Sequence, residues 1–178
     1  MGIIIAVVMG ILLTLPTSSA AIWVALAQNS TSDIMLLAGG AAVVGCACHM
    51  VGFAVMSFKE NGWSGLISQD IGTSMLQIPN VMKNPKILLP PIIASAVCGP
   101  LSTCLFQLKC GAVGGGMGTA GFVGVIDTIA RSTDISAAAL IIGVILLFFV
   151  LPGVICWGMT KLLKKVGWIG ENDLKLQL

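Results

Sequence analysis

The sequence predicts an all-α integral membrane protein with about four transmembrane helices. Hydrophobic residues make up 57% of the chain and the mean hydropathy is +1.03, whereas charged residues make up only 9%. An ordinary soluble domain carries roughly 25% charged residues, so this chain has too few charges to cover a surface that faces water. The charges are also clustered, and the uncharged stretches between them are long enough to cross a bilayer.

Four spans are predicted from the charge-free stretches. These stretches cover 1–32, 34–58, 87–108, 110–126 and 135–160. The predicted spans are Gly2–Leu26, Ile34–Met56, Ile87–Phe106 and Ala137–Trp157. Proline kinks are expected within them at Pro16, Pro90, Pro91, Pro100 and Pro152.

The first predicted span, Gly2–Leu26, is expected to be retained. It has no basic amino-terminal region, and its apolar run is longer than that of a signal peptide. Pro16 predicts a kink or a broken helix, because proline frees a backbone carbonyl that the hydroxyls of residues 17–19 can satisfy. The bend serves either as a substrate-facing gate or as a packing kink.

Two segments between the spans are expected to fold back. In Ser57–Lys86, the most polar stretch, apolar residues recur at near-helical spacing, which predicts an amphipathic helix at the interface or a segment that re-enters the protein. Seven glycines lie between Gly111 and Gly124. Glycine disfavours a helix by about 1 kcal/mol relative to alanine, and irregular backbone at membrane depth needs protein or a cavity around it. We therefore predict a re-entrant loop there.

The lysines predict the orientation. Cytoplasmic loops are enriched in Lys and Arg near the spans, so we place the 57–86 loop and a short basic tail, 161–178, on the cytoplasmic side. Lys109 and Arg131 then lie outside, against the trend. The whole chain, 1–178, is interpreted as one membrane domain.

Several functional classes are not supported by the composition. The net charge of +2 and the lack of a basic patch with interleaved aromatic residues argue against a nucleic-acid partner. The six cysteines show neither a disulfide framework nor zinc spacing. Cys46-x-Cys48-His49 invites a metal interpretation, but it lacks a second ligand pair, so a buried histidine with a hydrogen-bond partner is favoured. We predict no metal and no cofactor.

Two groups of residues are candidates for a substrate site. A carboxylate and amides, which can bind a polyhydroxylated ligand, are supplied by Glu60, Asn61, Gln77 and Asn80. The alternative is a solvated cytoplasmic loop with a Lys–Glu pair. The glycine-rich stretch exposes backbone groups that could line a pathway, at Gly114, Gly115, Gly116, Gly118 and Thr119. Its alternative is close packing of bent helices. It lacks the Gly-Lys-Ser/Thr ending of a nucleotide P-loop.

Four motifs resemble one membrane protein family. They are VGFAVMSFKENG at 51–62, GTSMLQIPN at 72–80, Asn84-Pro85, and GGGMGTAG at 114–121. Together they are similar to the phosphotransferase-system EIIC-like family, the IIC group that includes the perfringolysin O regulator. The resemblance covers nearly the whole chain, but family members are longer, and this chain resembles their C-terminal half.

The resemblance implies a multi-pass permease subunit in a bacterial cell membrane. Such a subunit binds a small polar substrate such as a sugar and moves it across the bilayer, while separate IIB and IIA proteins supply the phosphoryl group. No phosphoryl-carrying domain is recognisable, so at most the chain is the membrane part of a sugar phosphotransferase. An N-terminal half or a second copy is an implied partner. Glu60, and less clearly His49, would contact the sugar. The alternative is a membrane-embedded regulator of toxin gene expression that transports nothing.

Overall fold

The computed structural model describes residues 1–28 and 32–176, and within them all regular structure is helical. Three helical segments are long and apolar enough to cross a membrane, namely Asp33–Met56, Pro85–Leu105 and Ala137–Lys165. Gly2–Thr14 is a shorter apolar helix. The predicted all-α membrane architecture is confirmed, and three of the predicted spans start within two residues of these segments.

The α-helices of the described residues, in chain order, are α1 Gly2–Thr14, α2 Ser19–Ala27, α3 Asp33–Met56, α4 Phe58–Ile67, α5 Ile78–Lys83, α6 Leu89–Pro100, α7 Val123–Arg131, α8 Ala137–Val144 and α9 Leu151–Lys165. Single turns of 3₁₀-helix occupy Ser74–Gln77, Pro85–Leu88 and Ala120–Phe122. Wider π-helical turns occupy Ser68–Gly72, Leu101–Leu105 and Ile145–Val150. Pro100 and Pro152 lie at the junctions with two of these π turns, where the regular hydrogen-bond ladder is already interrupted.

Helix α3 is the centre of the molecule and packs against α1, α6 and α9. Close approach depends on its small residues. A Cβ atom at Gly45 would collide with the backbone of Ala6 in α1, and one at Gly40 would collide with the carbonyl of Leu108. Small residues allow helix backbones to approach closely in a membrane, where apolar side chains gain little by leaving lipid.

The first apolar segment is a hairpin of two helices. The ring nitrogen of Pro16 cannot donate to the Leu12 carbonyl, and the Thr17 hydroxyl donates to that carbonyl instead, at 2.9 Å. Ser18 then caps α2 by accepting from the Ala21 amide at 3.2 Å. The predicted break at Pro16 is confirmed. The predicted span Gly2–Leu26 is not one continuous helix.

The direction of α2 could not be read from the sequence. Gly2 at the start of α1 packs against Gly99 near the end of the Pro85–Leu105 segment, and Ala27 at the end of α2 lies in one cluster with Ala38 near the start of α3. Both positions lie toward the same end of the molecule. Helix α1 therefore enters the protein and α2 returns toward the same end. Helices of 13 and 9 residues, about 20 and 14 Å long, are each too short for a hydrocarbon core of about 30 Å.

The three spans define two ends of the molecule. One end, here the lysine end, contains Met56, Pro85 and Lys165, and the opposite end contains Asp33 and Ala137. Most basic residues belong to the lysine end or to the segments that emerge from it, namely Lys59, Lys83, Lys86, Lys161, Lys164, Lys165 and Lys175. The 57–86 loop and the tail thus emerge at the same end. A cytoplasmic position for this end remains a prediction from the lysine bias.

Two segments re-enter the protein from opposite ends. The polar segment, residues 57–84, starts at the lysine end, and at its inner turn the Ser74 hydroxyl lies 3.2 Å from the Thr14 hydroxyl at the inner end of α1. The glycine segment, residues 110–131, starts beside α3, where the Cys110 amide donates to the Leu36 carbonyl at 3.0 Å. It returns through α7. The residues that flank its two ends are joined by a hydrogen bond, in which the Ser132 hydroxyl donates to the Lys109 carbonyl at 3.1 Å.

Candidate functional site

The two re-entrant segments meet inside the protein. The buried Thr119 hydroxyl of the glycine segment donates to the backbone carbonyl of Asp70 in the polar segment, at 2.6 Å. The same hydroxyl lies 3.5 Å from the sulfur of Met50 in α3. The contact therefore lies alongside the membrane-spanning part of α3, away from both water-facing ends.

A pocket of about 400 Å³ lies next to this contact. It is bounded by the α1–α2 break, the polar segment and the glycine segment, and the lining residues of these are Leu13, Pro16, Thr17, Ser18, Ser19, Ala20, Gly72, Thr73, Met75, Gly116, Met117 and Ala120. We call it the hydroxyl pocket because its polar side chains are all serine or threonine. Its size falls in the range of about 300–1,000 Å³ that is usual for small-molecule sites.

Hydrogen bonds fix two walls of the hydroxyl pocket. The Ser19 hydroxyl donates to the Gly116 carbonyl at 2.7 Å, which joins α2 to the glycine segment. A Cβ atom at Gly116 would lie 2.5 Å from the Ser19 carbonyl oxygen, so only glycine permits this approach. Thr73 uses its hydroxyl to cap the turn that follows, by accepting from the Met75 amide at 3.1 Å.

Asp70 is the ionisable residue nearest in sequence to the pocket lining, two positions before Gly72. Its Oδ1 atom is buried and has no hydrogen-bond partner among residues 1–28 and 32–176. Ionisable groups at membrane depth are costly and usually functional. Sequence reasoning did not select Asp70 as a site residue. The available signal was a lone carboxylate in a stretch already predicted to re-enter the protein.

The predicted residues Glu60 and Asn61 bind the chain's own tail. Oε1 of Glu60 accepts from Lys164 and Oε2 accepts from the Leu174 amide, both at 2.9 Å. The Asn61 side chain donates to the Leu174 carbonyl and accepts from the Leu176 amide, both at 2.8 Å. One asparagine amide thus pairs with the backbone of two tail residues, as a neighbouring strand would.

Gln77 and Asn80 complete the same arrangement. The Gln77 amide donates to the Leu174 carbonyl at 3.1 Å and to the Gln69 side chain at 2.8 Å. Asn80 donates to the Gln77 side chain at 2.7 Å and to the Lys175 carbonyl at 3.0 Å. We call these four predicted residues the tail clamp. Gln77 is fully buried and Asn80 nearly so, so these two side chains are not solvated, whereas Glu60 does form a Lys–Glu pair, with Lys164. Binding of substrate by the clamp stays a prediction.

His49 lies apart from the tail clamp. It is fully buried in α3, with Nδ1 at 3.2 Å from the Gly45 carbonyl and 3.3 Å from the Ser95 hydroxyl of α6. Its other nitrogen, Nε2, has no partner among the described residues. About 12 Å of helix separates it from Ser57, where the polar segment begins. Across residues 1–28 and 32–176, no three His, Cys, Asp or Glu side chains lie close enough together to hold a metal ion.

The predicted glycine loop divides into lining and packing positions. Gly116 lines the hydroxyl pocket, and Thr119 joins the loop to the polar segment through its hydrogen bond to Asp70. Gly115 packs against the Trp23 ring, Gly114 donates its amide to Asp127 at 3.1 Å, and Gly118 lies against the backbone of α3. Packing therefore describes Gly114, Gly115 and Gly118, and a pathway-lining role for the loop stays a prediction.

Comparison with known proteins gives one match. A family model described as "Phosphotransferase system, EIIC" matches residues 1–176, which is nearly the whole chain. Comparison with curated proteins and with solved structures finds no match.

Proposed function

Because the chain belongs to the EIIC family of the phosphotransferase system, we propose that it carries a sugar across the membrane and binds it in the hydroxyl pocket. EIIC parts lie in the membrane and work with IIA and IIB proteins. The apolar spans agree with a multi-pass position in a bacterial plasma membrane. The observation that carries the proposal is the meeting of three interrupted segments around one pocket.

Interrupted helices are the usual way to build a substrate site in a transporter. Their ends leave backbone groups free to bind a ligand, and such backbone is tolerated at membrane depth only around a cavity. Here the α1–α2 break, the turn at Gly72 and the loop at Gly116 supply those ends. Thr17 and Ser19 already donate to backbone carbonyls, but the Ser18 and Thr73 hydroxyls only accept in the described residues, so their protons are free to donate to a sugar. Asp70 would supply the charged acceptor once a substrate or a movement of the turn brings it a donor.

The tail clamp offers a competing position for the sugar. In this conformation its carboxylate and amides are saturated by residues 174–176, so a substrate at the clamp would have to displace the tail. The hydroxyl pocket needs no such displacement. Pairing with an N-terminal half or with a second copy remains part of the proposal, since either could complete the wall of the pocket.

Uptake by membrane vesicles distinguishes the two positions. The vesicles would contain the IIA and IIB proteins and phosphoenolpyruvate, and would be tested with radiolabelled glucose, mannose, N-acetylglucosamine, cellobiose and galactitol. We expect Asp70→Asn to abolish uptake of the transported sugar while the protein still accumulates in the membrane. Asp173→Asn, which changes a carboxylate beside Asn84 and Gly170 at the lysine end and away from the hydroxyl pocket, is the matched control and should retain uptake.

In the same uptake assay, Glu60→Gln distinguishes the hydroxyl pocket from the tail clamp as the position of the sugar. The hydroxyl-pocket proposal predicts that this variant transports, provided that it folds, because within the described residues the Glu60 carboxylate accepts hydrogen bonds only from Lys164 and the Leu174 amide. Loss of uptake in well-folded Glu60→Gln, together with normal uptake in Asp70→Asn, would place the sugar at the tail clamp instead.

Ligand binding provides an independent measurement. A sugar that binds only the folded protein stabilises it by about 2.7 kcal/mol at a hundredfold excess over its Kd. Thermal unfolding of the purified protein in neutral detergent should therefore shift with one class of sugar and not with the others. The regulator alternative is not favoured by any contact described above. It would gain support if sugars changed toxin gene expression with no measurable uptake.

A further inference from the structure

A second pocket, of about 350 Å³, lies at the lysine end between the end of α3, α4 and α9. Its walls are mostly apolar and include Val55, Phe58, Trp63 and Trp157. The hydroxyl of Thr160, which also lines it, already donates to a backbone carbonyl of α9 at 2.6 Å. Apart from lysines, the pocket therefore offers a sugar almost nothing to bind. It suits a hydrocarbon chain.

Three lysines, Lys59, Lys161 and Lys164, line this pocket, which we call the lysine-rimmed pocket. Lys164 is paired with Glu60 at 2.9 Å. Lys59 and Lys161 also line the pocket, are exposed, and have no carboxylate within 4.0 Å in the part of the chain that the structure describes. The rim thus has two uncompensated positive charges, a composition that fits an anionic group.

The aromatic residues place the pocket at the edge of the membrane. Phe58 and Trp63 pack edge to face, with ring centroids 5.3 Å apart, and Trp63 is 72% exposed. Trp157 is 51% exposed, and the Lys161 ammonium lies 3.4 Å from the centroid of its ring. Exposed tryptophans beside lysines near the ends of spans are typical of the interface between hydrocarbon and headgroups.

We propose that the lysine-rimmed pocket binds an anionic phospholipid. The phosphate would lie between Lys59 and Lys161, and one acyl chain would lie against Val55 and Trp157. Basic pockets between membrane helices recognise acidic headgroups in this way, and each nearby lysine strengthens binding to an anionic surface. The site is separate from the hydroxyl pocket and does not depend on which sugar is carried.

Native mass spectrometry of the purified protein tests this proposal. The probes are phosphatidylglycerol and phosphatidylcholine with identical acyl chains, and soluble glycerol phosphate as a headgroup without a chain. We expect the wild type to prefer phosphatidylglycerol over phosphatidylcholine by roughly tenfold or more. The double variant Lys59→Gln, Lys161→Gln should lose most of that preference. Its matched control, Lys83→Gln with Lys165→Gln, carries the same net charge and should keep it.

Three results would overturn the proposal. Equal affinity of the wild type for the two lipids would show that the lysines do not select charge. Equal losses in the double variant and its control would show that only net charge matters. Equally tight binding of glycerol phosphate would show a phosphate site in which the apolar walls contribute nothing. Because all four substitutions are at exposed lysines, none should impair folding.

Discussion

The polar segment and the glycine segment re-enter the protein from opposite ends, and different chemistry holds each one inside. In the polar segment, side-chain amides form a chain of hydrogen bonds from the Ser57 hydroxyl through Gln69 and Gln77 to Asn80. In the glycine segment, the backbone packs directly against α2 and α3. Its main polar anchor is Asp127, which accepts from the amides of Gly111 at 2.8 Å and Gly114 at 3.1 Å.

The difference shows two solutions to one problem. Irregular backbone inside a membrane must have its polar groups paired. The polar segment keeps large residues and pairs them through long amide side chains, which tolerate some movement at each bond. The glycine segment removes side chains so that the backbone itself reaches its partners, which leaves no room for a Cβ atom at Gly116 or Gly118. We therefore expect the glycine segment to be the less tolerant of substitution.

Alanine substitution of three glycines should reveal the largest effect. Gly118 has φ +60°, and a Cβ atom there would lie 2.9 Å from the backbone of Cys46 and Ala47. The left-handed backbone and the collision together should cost about 3 kcal/mol or more in Gly118→Ala. Gly62 has the same φ but open space around it, and its ψ of −154° lies in a region essentially confined to glycine, so Gly62→Ala should cost about 1–3 kcal/mol from backbone strain alone.

Gly72→Ala is the matched control for this series. A Cβ atom at Gly72 meets nothing within 4 Å and its φ is not in the left-handed region, so its cost should be close to zero. Chemical unfolding of the purified variants in one detergent measures all three free energies of unfolding. The comparison fails if Gly118→Ala is no less stable than Gly62→Ala.

Substitution within the amide chain should have a smaller but distinct effect. Gln77→Leu keeps the side-chain volume but leaves the side-chain oxygen of Gln69 and one N–H of Asn80 without a partner, while the Leu174 carbonyl keeps its bond from Asn61. Unpaired buried polar groups cost about 1–3 kcal/mol each, and local rearrangement should limit the total to about 2–3 kcal/mol. The same unfolding measurement applies, with the exposed substitution Gln28→Leu as the control. An unchanged free energy of unfolding in Gln77→Leu would mean that the amides do not hold the polar segment.

The sequence allowed more of the fold to be predicted than of the site. Long apolar stretches fix the spans, and a run of glycines indicates irregular backbone, so both re-entrant segments were expected near their observed positions. The return of α2 was not predictable, because it depends on Ala27 joining the buried cluster that also contains Ala38. The tail clamp was also hidden. Nothing local indicates that Asn61 would pair with Leu174, more than a hundred residues later.

The smallest expected effect on stability comes from hydrogen bonds to Asp173 at Asn84, where the polar segment ends. There Asn84 and the Gly170 amide donate to the Asp173 carboxylate, at 2.8 and 2.7 Å. The amide of Gly170, and then Asn84, hold the pKa of Asp173 below its usual value of 3.8. Since the folded value is the lower one, this contribution to stability is complete above the usual value and is lost as the pH falls through the folded value.

Thermal unfolding at about pH 5 and about pH 3 measures this contribution, through the difference between wild type and Asp173→Asn. The wild type should lose slightly more stability on acidification than the variant. Asn84→Ala should reduce the wild-type loss, because it removes one of the two donors that lower the pKa. If Asp173→Asn and wild type lose the same stability, hydrogen bonding at the exit does not depend on the charge. The amide chain would then account for the attachment of the tail to the polar segment without Asp173.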